Sequence, residues 1–208
     1  MINKIIFLFL NFFINNNIIF KIRSSKFNID DYNYDFININ FENLSELKKI
    51  IFSKKYFINK FYDEKSIRYH YFEWLYAAKK TGGSEIISLT KQHIINWYHK
   101  NYKISSFVWE KNFVATRLIN LIYNFDYYAV SATKQERKKF NIIILKHYFI
   151  LKLQVQLDTN NCSIEITKAL LLFHLIHKLD TNKIIKLIKK QLDNHINKNG
   201  MHNSMNPC

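Results

Sequence analysis

Three glycines and one proline in 208 residues leave this chain few places to turn tightly. Sandwiches and barrels of many short strands draw heavily on both residues, so their scarcity argues against such folds, and it excludes collagen-like and Gly/Pro-rich low-complexity chains as well. Long helices joined by short links remain. The length suits one globular domain, or one domain with an N-terminal extension, and such a domain buries most of its unfolded apolar surface without a metal or a disulfide. The two cysteines, Cys162 and Cys208, have neither metal-ligand nor redox spacing and say nothing about compartment.

Lys and Arg number 31 against 16 Asp and Glu, a formal net charge of +15. A surface that basic favours polyanions, whether nucleic acid, anionic lipid or acidic polysaccharide. The abundance of Ile, Asn, Lys, Phe and Tyr is also what an AT-rich genome encodes, which gives part of the charge a second origin. No phosphate loop, GxSxG, HExxH, CxxC or EF-hand pattern occurs, so no cofactor and no metal are expected. His174 and His177 lie three apart without a carboxylate partner and read as one helix face rather than a metal pair. Helix-turn-helix and zinc-finger spacings are missing too, so sequence-specific nucleic-acid recognition is not expected.

The chain opens with an apolar run from Ile5 to Ile14, interrupted by Asn11 and followed by Asn15-Asn16-Asn17 where a small-residue cleavage site would belong. The run reads as a buried strand or helix, or as a weak signal or membrane anchor, which leaves the location open between the periplasm and the cytoplasm of a bacterium. From Phe27 to Phe41 apolar and polar residues roughly alternate, which predicts one or two short strands or an extended arm, and residues 1–42 together read as an irregular or strand-like N-terminal arm or extension. From Asn43 the spacing becomes helical. Helices are expected from about Glu64 to Lys80, Glu85 to Asn101, Val108 to Tyr127, Thr133 to Asp158, Ser163 to Lys178, and Asp180 or Thr181 to Lys198. Gly82-Gly83 stops the first of these, Ser84 caps the second, and the last directs Ile184, Ile185, Ile188 and Leu192 inward. Consecutive helices of unequal length with short links predict an all-α stack of αα-hairpins over residues 43–208, with no repeat period that would make a regular solenoid.

Four clusters stand out. His70-Tyr71-Phe72-Glu73-Trp74-Leu75 is dense enough in aromatics for a core helix or a carbohydrate-stacking wall. Trp109 to Asn120 contains Arg117, one of few arginines in a Lys-rich chain, suited to a bidentate contact or a structural ion pair. Asp158-Thr159-Asn160-Asn161-Cys162 sits at a helix junction, where amides and unpaired backbone donors hold an anion or simply cap a turn. The tail runs Asn199-Gly200-Met201-His202-Asn203-Ser204-Met205-Asn206-Pro207.

In order and spacing these clusters resemble the N-terminal helical domain of the heparinase II/III-like family, in a branch common in α-proteobacteria. That branch has H-x-F-x-W-L before a Gly-containing break, matched by His70 to Leu75 before Gly82-Gly83. A helix ending near a Trp follows, here Asn96-Trp97, and then W-x(several)-A-x-R-L-x-x-W, here Trp109 through Ala115-Thr116-Arg117-Leu118 to Asn120. The family's closing D-G-G-H-x-S-R-N-P is matched by Asn199 to Pro207, with Asn199, Met201 and Met205 replacing the Asp, a Gly and the Arg. The resemblance covers Tyr69 to Pro207.

The resemblance implies a polysaccharide lyase domain built as an incomplete (α/α) toroid and followed by a β-sandwich. The implied partner is an acidic polysaccharide, cleaved by β-elimination at a uronic acid, where an amide blunts the carboxylate and a Tyr or His removes the C5 proton. By position the amide is Asn160 or Asn161, and substrate contacts fall on His70, Trp74, Trp109, Arg117 and His202. The family's proton-transferring Tyr and its β-sandwich His belong past Cys208, so the chain reads as a truncated toroid domain, inactive alone, or as one half of a protein whose β-sandwich is separately encoded. Tyr127, Tyr128 and His202 are the local substitutes for the missing base. Beside this stands a reading without catalysis, a basic helical scaffold that binds nucleic acid or an anionic membrane surface.

Overall fold

The structure, a computed structural model, describes residue 9 and residues 12–27, 67–104, 107–157 and 162–195. Every regular element among the described residues is helical and none is a strand, so the chain is all-α. The helices are α1 (Asn17–Ser24), α2 (Ile67–Tyr71), α3 (Trp74–Thr81), α4 (Ser84–Lys100), α5 (Lys111–Tyr123), α6 (Phe125–Tyr128), α7 (Lys134–Leu157), α8 (Ile164–Ile176) and α9 (Asn182–His195), with a 3-10 turn at Phe107–Trp109.

The glycine pair stops α3 as expected. Gly82 takes φ 66 and ψ −167, and its N–H donates to the Ala78 carbonyl at 3.0 Å. Gly83, at φ 87, is the N-cap of α4, so the cap expected at Ser84 moves back one residue and Ser84 opens the helix. A Cβ added at Gly82 meets nothing within 4 Å. Gly82→Ala therefore isolates the backbone cost of a region that essentially only glycine adopts, and we expect a loss of about 1–3 kcal/mol in urea denaturation. An unchanged midpoint would show that the helix end relaxes freely.

At the start of α7, Thr133 and Glu136 form a capping box: the Glu136 N–H donates to Thr133 Oγ1 at 3.2 Å and the Thr133 N–H to Glu136 Oε2 at 2.8 Å. Glu136 also pairs with Lys91 at 3.3 Å, which ties α7 to α4. The centre of the molecule is α5, packed against α2, α3, the 3-10 turn, α7 and α8. Its Val114, Ala115, Leu118, Leu121 and Ile122 are all buried, so the helix is apolar on several sides and cannot lie at a surface. α3 packs on α4, and α8 packs on α9.

Several sequence expectations are corrected. The helix expected from Glu64 to Lys80 is two helices, broken at Phe72-Glu73, and the one expected from Val108 to Tyr127 is a 3-10 turn, α5 and α6, with breaks at Glu110 and Asn124. In α9, Ile184 is buried, but Ile185 and Leu192 are 41% and 45% exposed, because α9 packs chiefly on one neighbour, α8, and only one of its apolar rows is covered. In the N-terminal segment the described residues 12–15 and 17–24 are helical. Ile14 is buried there and Phe20 meets Phe149 edge-on at 6.0 Å, while Phe9 and Phe12 remain exposed. The alternating stretch beyond Phe27 and the helix expected from Asn43 lie outside the described residues. No helix among the described residues is long and apolar enough to cross a membrane.

Candidate functional site

The break between α2 and α3 creates the most unusual polar arrangement in the described structure. Phe72 adopts φ 61, a left-handed conformation that a bulky residue enters only when its surroundings compel it. The compulsion is packing: its ring is fully buried, 5.4 Å from Trp74 and 5.2 Å from Trp97. In an unbroken helix the carbonyls of His70 and Tyr71 would accept the N–H groups of Trp74 and Leu75. Here the Leu75 N–H donates to Phe72 instead, and the two carbonyls accept from side chains of α5: His70 from Arg117 Nη1 at 2.7 Å, and Tyr71 from Asn120 Nδ2 at 2.7 Å.

Arg117 is completely buried. Besides the His70 carbonyl, its Nη2 donates to the Val108 carbonyl at 2.8 Å and its Nε to His147 Nε2 at 2.7 Å. Aromatic faces flank the guanidinium, with Trp97 at 4.1 Å and Trp109 at 5.1 Å from Cζ to ring centroid. Among the described residues the ion pairs are Lys79 with Asp126 and Lys91 with Glu136, so no carboxylate faces this cation. Burial pulls the Arg117 pKa well below its usual value. Even so, the guanidinium stays charged, because arginine is too strong a base to be deprotonated inside a protein and the three acceptors and two indole faces all favour the cation.

The partners of Arg117 have their protons placed by elimination. Arg117 can only donate, so His147 accepts at Nε2 and carries its proton on Nδ1, 2.7 Å from the Ile143 carbonyl. That histidine is held neutral, its pKa driven well below the usual value first by burial and then by the charge of Arg117. Likewise the Trp97 indole N–H donates to His70 Nδ1 at 3.0 Å, which leaves the His70 proton on Nε2. The 3-10 turn is held twice more: Gln154 Nε2 donates to the Trp109 carbonyl at 2.6 Å, and the Trp109 indole to the Asn101 carbonyl at 2.8 Å. One guanidinium thus joins α2, α5, α7 and the 3-10 turn.

Of the residues expected at a substrate site, His70, Trp109 and Arg117 meet here, and Trp74 borders them through Phe72, its indole N–H donating to the Tyr69 carbonyl at 3.3 Å. All four are buried, and their described contacts are with the protein itself. Asn160, Asn161 and His202 lie outside the described residues. Tyr127 and Tyr128 are buried, and the Tyr128 hydroxyl donates to the Leu121 carbonyl at 2.9 Å. Reading the sequence missed His147 and Gln154, although both interrupt the apolar run of α7, and polar residues inside such a run are the available signal. His174 and His177 are engaged separately, His174 with the Tyr148 hydroxyl at 3.0 Å and His177 stacked on Phe173 at 4.0 Å. No group of three metal-ligating side chains occurs among the described residues. An apolar groove of about 260 Å³ lies between α8 and α9, lined in part by Ile164, Leu171, Ile188 and Leu192, apart from the Arg117 centre.

No family model matches the chain, and no curated protein or solved structure matches it either.

Proposed function

We propose that the chain is the helical domain of a heparinase II/III-like polysaccharide lyase, an incomplete (α/α) toroid that binds a uronic-acid polysaccharide for β-elimination. One observation carries this reading. Three of the sequence words on which the resemblance rests are far apart in the chain, yet they meet at a single guanidinium, through the His70 carbonyl, the Trp97 ring, the Val108 carbonyl beside Trp109, and Arg117 itself. A shared fold requires these words to converge in space, and here they do so around one charged group as well as by apolar packing.

On this reading His70, Trp74, Trp109 and Arg117 are positioning residues. They hold the ends of α2, α5 and the 3-10 turn so that the wall of a glycan groove keeps its shape, and the glycan meets other side chains. Asn160 or Asn161, between α7 and α8, supplies the amide that blunts the uronate carboxylate. A basic scaffold for nucleic acid or an anionic membrane surface is the second reading. It is favoured by the exposed row of Lys183, Lys186, Lys189 and Lys190 on α9.

The two readings part in a titration of the protein with oligogalacturonate, single-stranded RNA and phosphatidylserine vesicles, at low salt and at about 0.15 M, where the Debye length is about 8 Å. A built groove keeps a preference for the glycan at the higher salt. Lysine-driven association falls steeply for all three, and that result would remove the lyase reading.

A further inference from the structure

Four cations from three separate stretches of the chain gather at one corner of the molecule. Lys152 of α7 reaches over the Tyr148 ring, its Nζ 5.6 Å from the centroid. The Tyr148 hydroxyl is 3.0 Å from His174 Nε2, and His174 Nδ1 is 2.6 Å from the Asp180 carbonyl. The Asp180 carboxylate accepts the Asn182 N–H at 3.0 Å and so caps α9, whose next residue is Lys183. From the other side, Phe27 packs edge-on against Tyr148 at 6.3 Å, Phe149 at 5.9 Å and Phe173 at 5.7 Å. That packing brings Lys26 and the end of α1, with Arg23, to the same corner.

The charges are close enough to oppose one another. Burial lowers the Lys152 pKa first, and the positive charges of Arg23, Lys183 and Lys26 lower it further. None of the four shares in an ion pair among the described residues. Arg23 is half-buried with its guanidinium over the Phe13 ring at 5.4 Å, and the other three are exposed. Lys183 also lies in the first turn of α9, where the positive end of the helix dipole disfavours a cation. Mutual repulsion and an adverse dipole both oppose this arrangement, and among the described residues only the Asp180 carboxylate and the ring contacts of Lys152 and Arg23 offset them.

We propose that Arg23, Lys26, Lys152 and Lys183 form a binding site for the carboxylates of successive uronates in an acidic polysaccharide. The site rests on the lyase-domain reading for the identity of its ligand, and on the cluster for its place. Successive carboxylates along a glycan would each meet a cation, and binding would relieve the repulsion that folding imposes.

The test compares affinity for oligogalacturonate in the intact chain, in Lys152→Gln/Lys183→Gln, in Arg23→Gln/Lys26→Gln, and in a charge-matched control, Lys134→Gln/Lys139→Gln, with circular dichroism to verify the helix content of each. A lost charge-assisted contact weakens binding by roughly tenfold. Each cluster pair is therefore expected to lose about tenfold or more, and the control less than about twofold. Equal losses in all three variants would overturn the site while leaving the lyase-domain reading in place, because the glycan would then sense net charge alone. No binding of oligogalacturonate by the intact chain would overturn that reading and the site with it. Binding of single-stranded RNA that is tighter than the glycan and abolished by the cluster variants would also overturn the proposal, by assigning the corner to nucleic acid.

Discussion

Arg117→Ala is expected to lower the stability of this protein by at least about 3 kcal/mol, the summed cost of three buried acceptors that lose their donor. The substitution leaves the carbonyls of His70 and Val108 and Nε2 of His147 without their donor in a dry interior. Each orphaned acceptor costs about 1–3 kcal/mol, and the emptied space between Trp97 and Trp109 adds a cavity term. Domains of ordinary stability have about 5–15 kcal/mol in total, so the variant is expected to be partly unfolded at 37 °C or to fail to accumulate. Arg117→Lys should rescue little, because a single ammonium at the end of a flexible stem cannot meet three acceptors laid out for a planar fork. Urea denaturation followed by circular dichroism measures both. A loss below about 1 kcal/mol for Arg117→Ala would show that water or a rearranged side chain replaces the guanidinium, and the centre would lose its structural standing.

The second large effect is a loss of stability in mild acid. His147 is buried, neutral and bonded through Nε2 to a cation, so its folded-state pKa lies well below the ordinary histidine value near 6.5. Below about pH 6.5 the unfolded chain takes up a proton that the folded chain refuses, so the stability is fully present above that pH and is lost as the pH falls. The slope is about 1.4 kcal/mol per pH unit for each such group. His93 and His177, lowered by burial to about 4 and about 3, act in the same direction. Denaturation midpoints between pH 7 and pH 5 should therefore fall with decreasing pH, and His147→Gln should flatten the fall even though it lowers the stability at pH 7. If the slope were the same with and without His147, the histidine would be protonated in the folded state and the proton placement described above would be wrong.

Much of the helix layout was legible because local chemistry sets it. Gly82-Gly83 ends α3, Thr133 with Glu136 opens α7, and Ser163 precedes α8, each within a residue or two of where the side chains alone put the boundary. Two breaks were not legible. Nothing in Tyr71-Phe72-Glu73 stops a helix by propensity, and Phe72 enters the left-handed region only because its ring fills a space between Trp74 and Trp97. The sequence singled out His70, Trp74, Trp109 and Arg117 by their rarity and spacing. Rarity does not reveal burial: aromatics at helical spacing read first as core, and only the family resemblance pointed these four residues toward a sugar-stacking surface.

The amino-acid sequence by itself determined that this protein is all-α and strongly basic, and where most of its helices begin and end. Glycine, capping residues and apolar spacing act within a few residues, and net charge is a sum that no fold alters. Only the tertiary structure decided that the His70 and Tyr71 carbonyls leave their helix for Arg117 and Asn120, that His147 completes the guanidinium's set of acceptors, and that Arg23, Lys26, Lys152 and Lys183 share one corner. Those partners are separated by 30, 47 or more residues along the chain, so which donor meets which acceptor depends on how the helices pack.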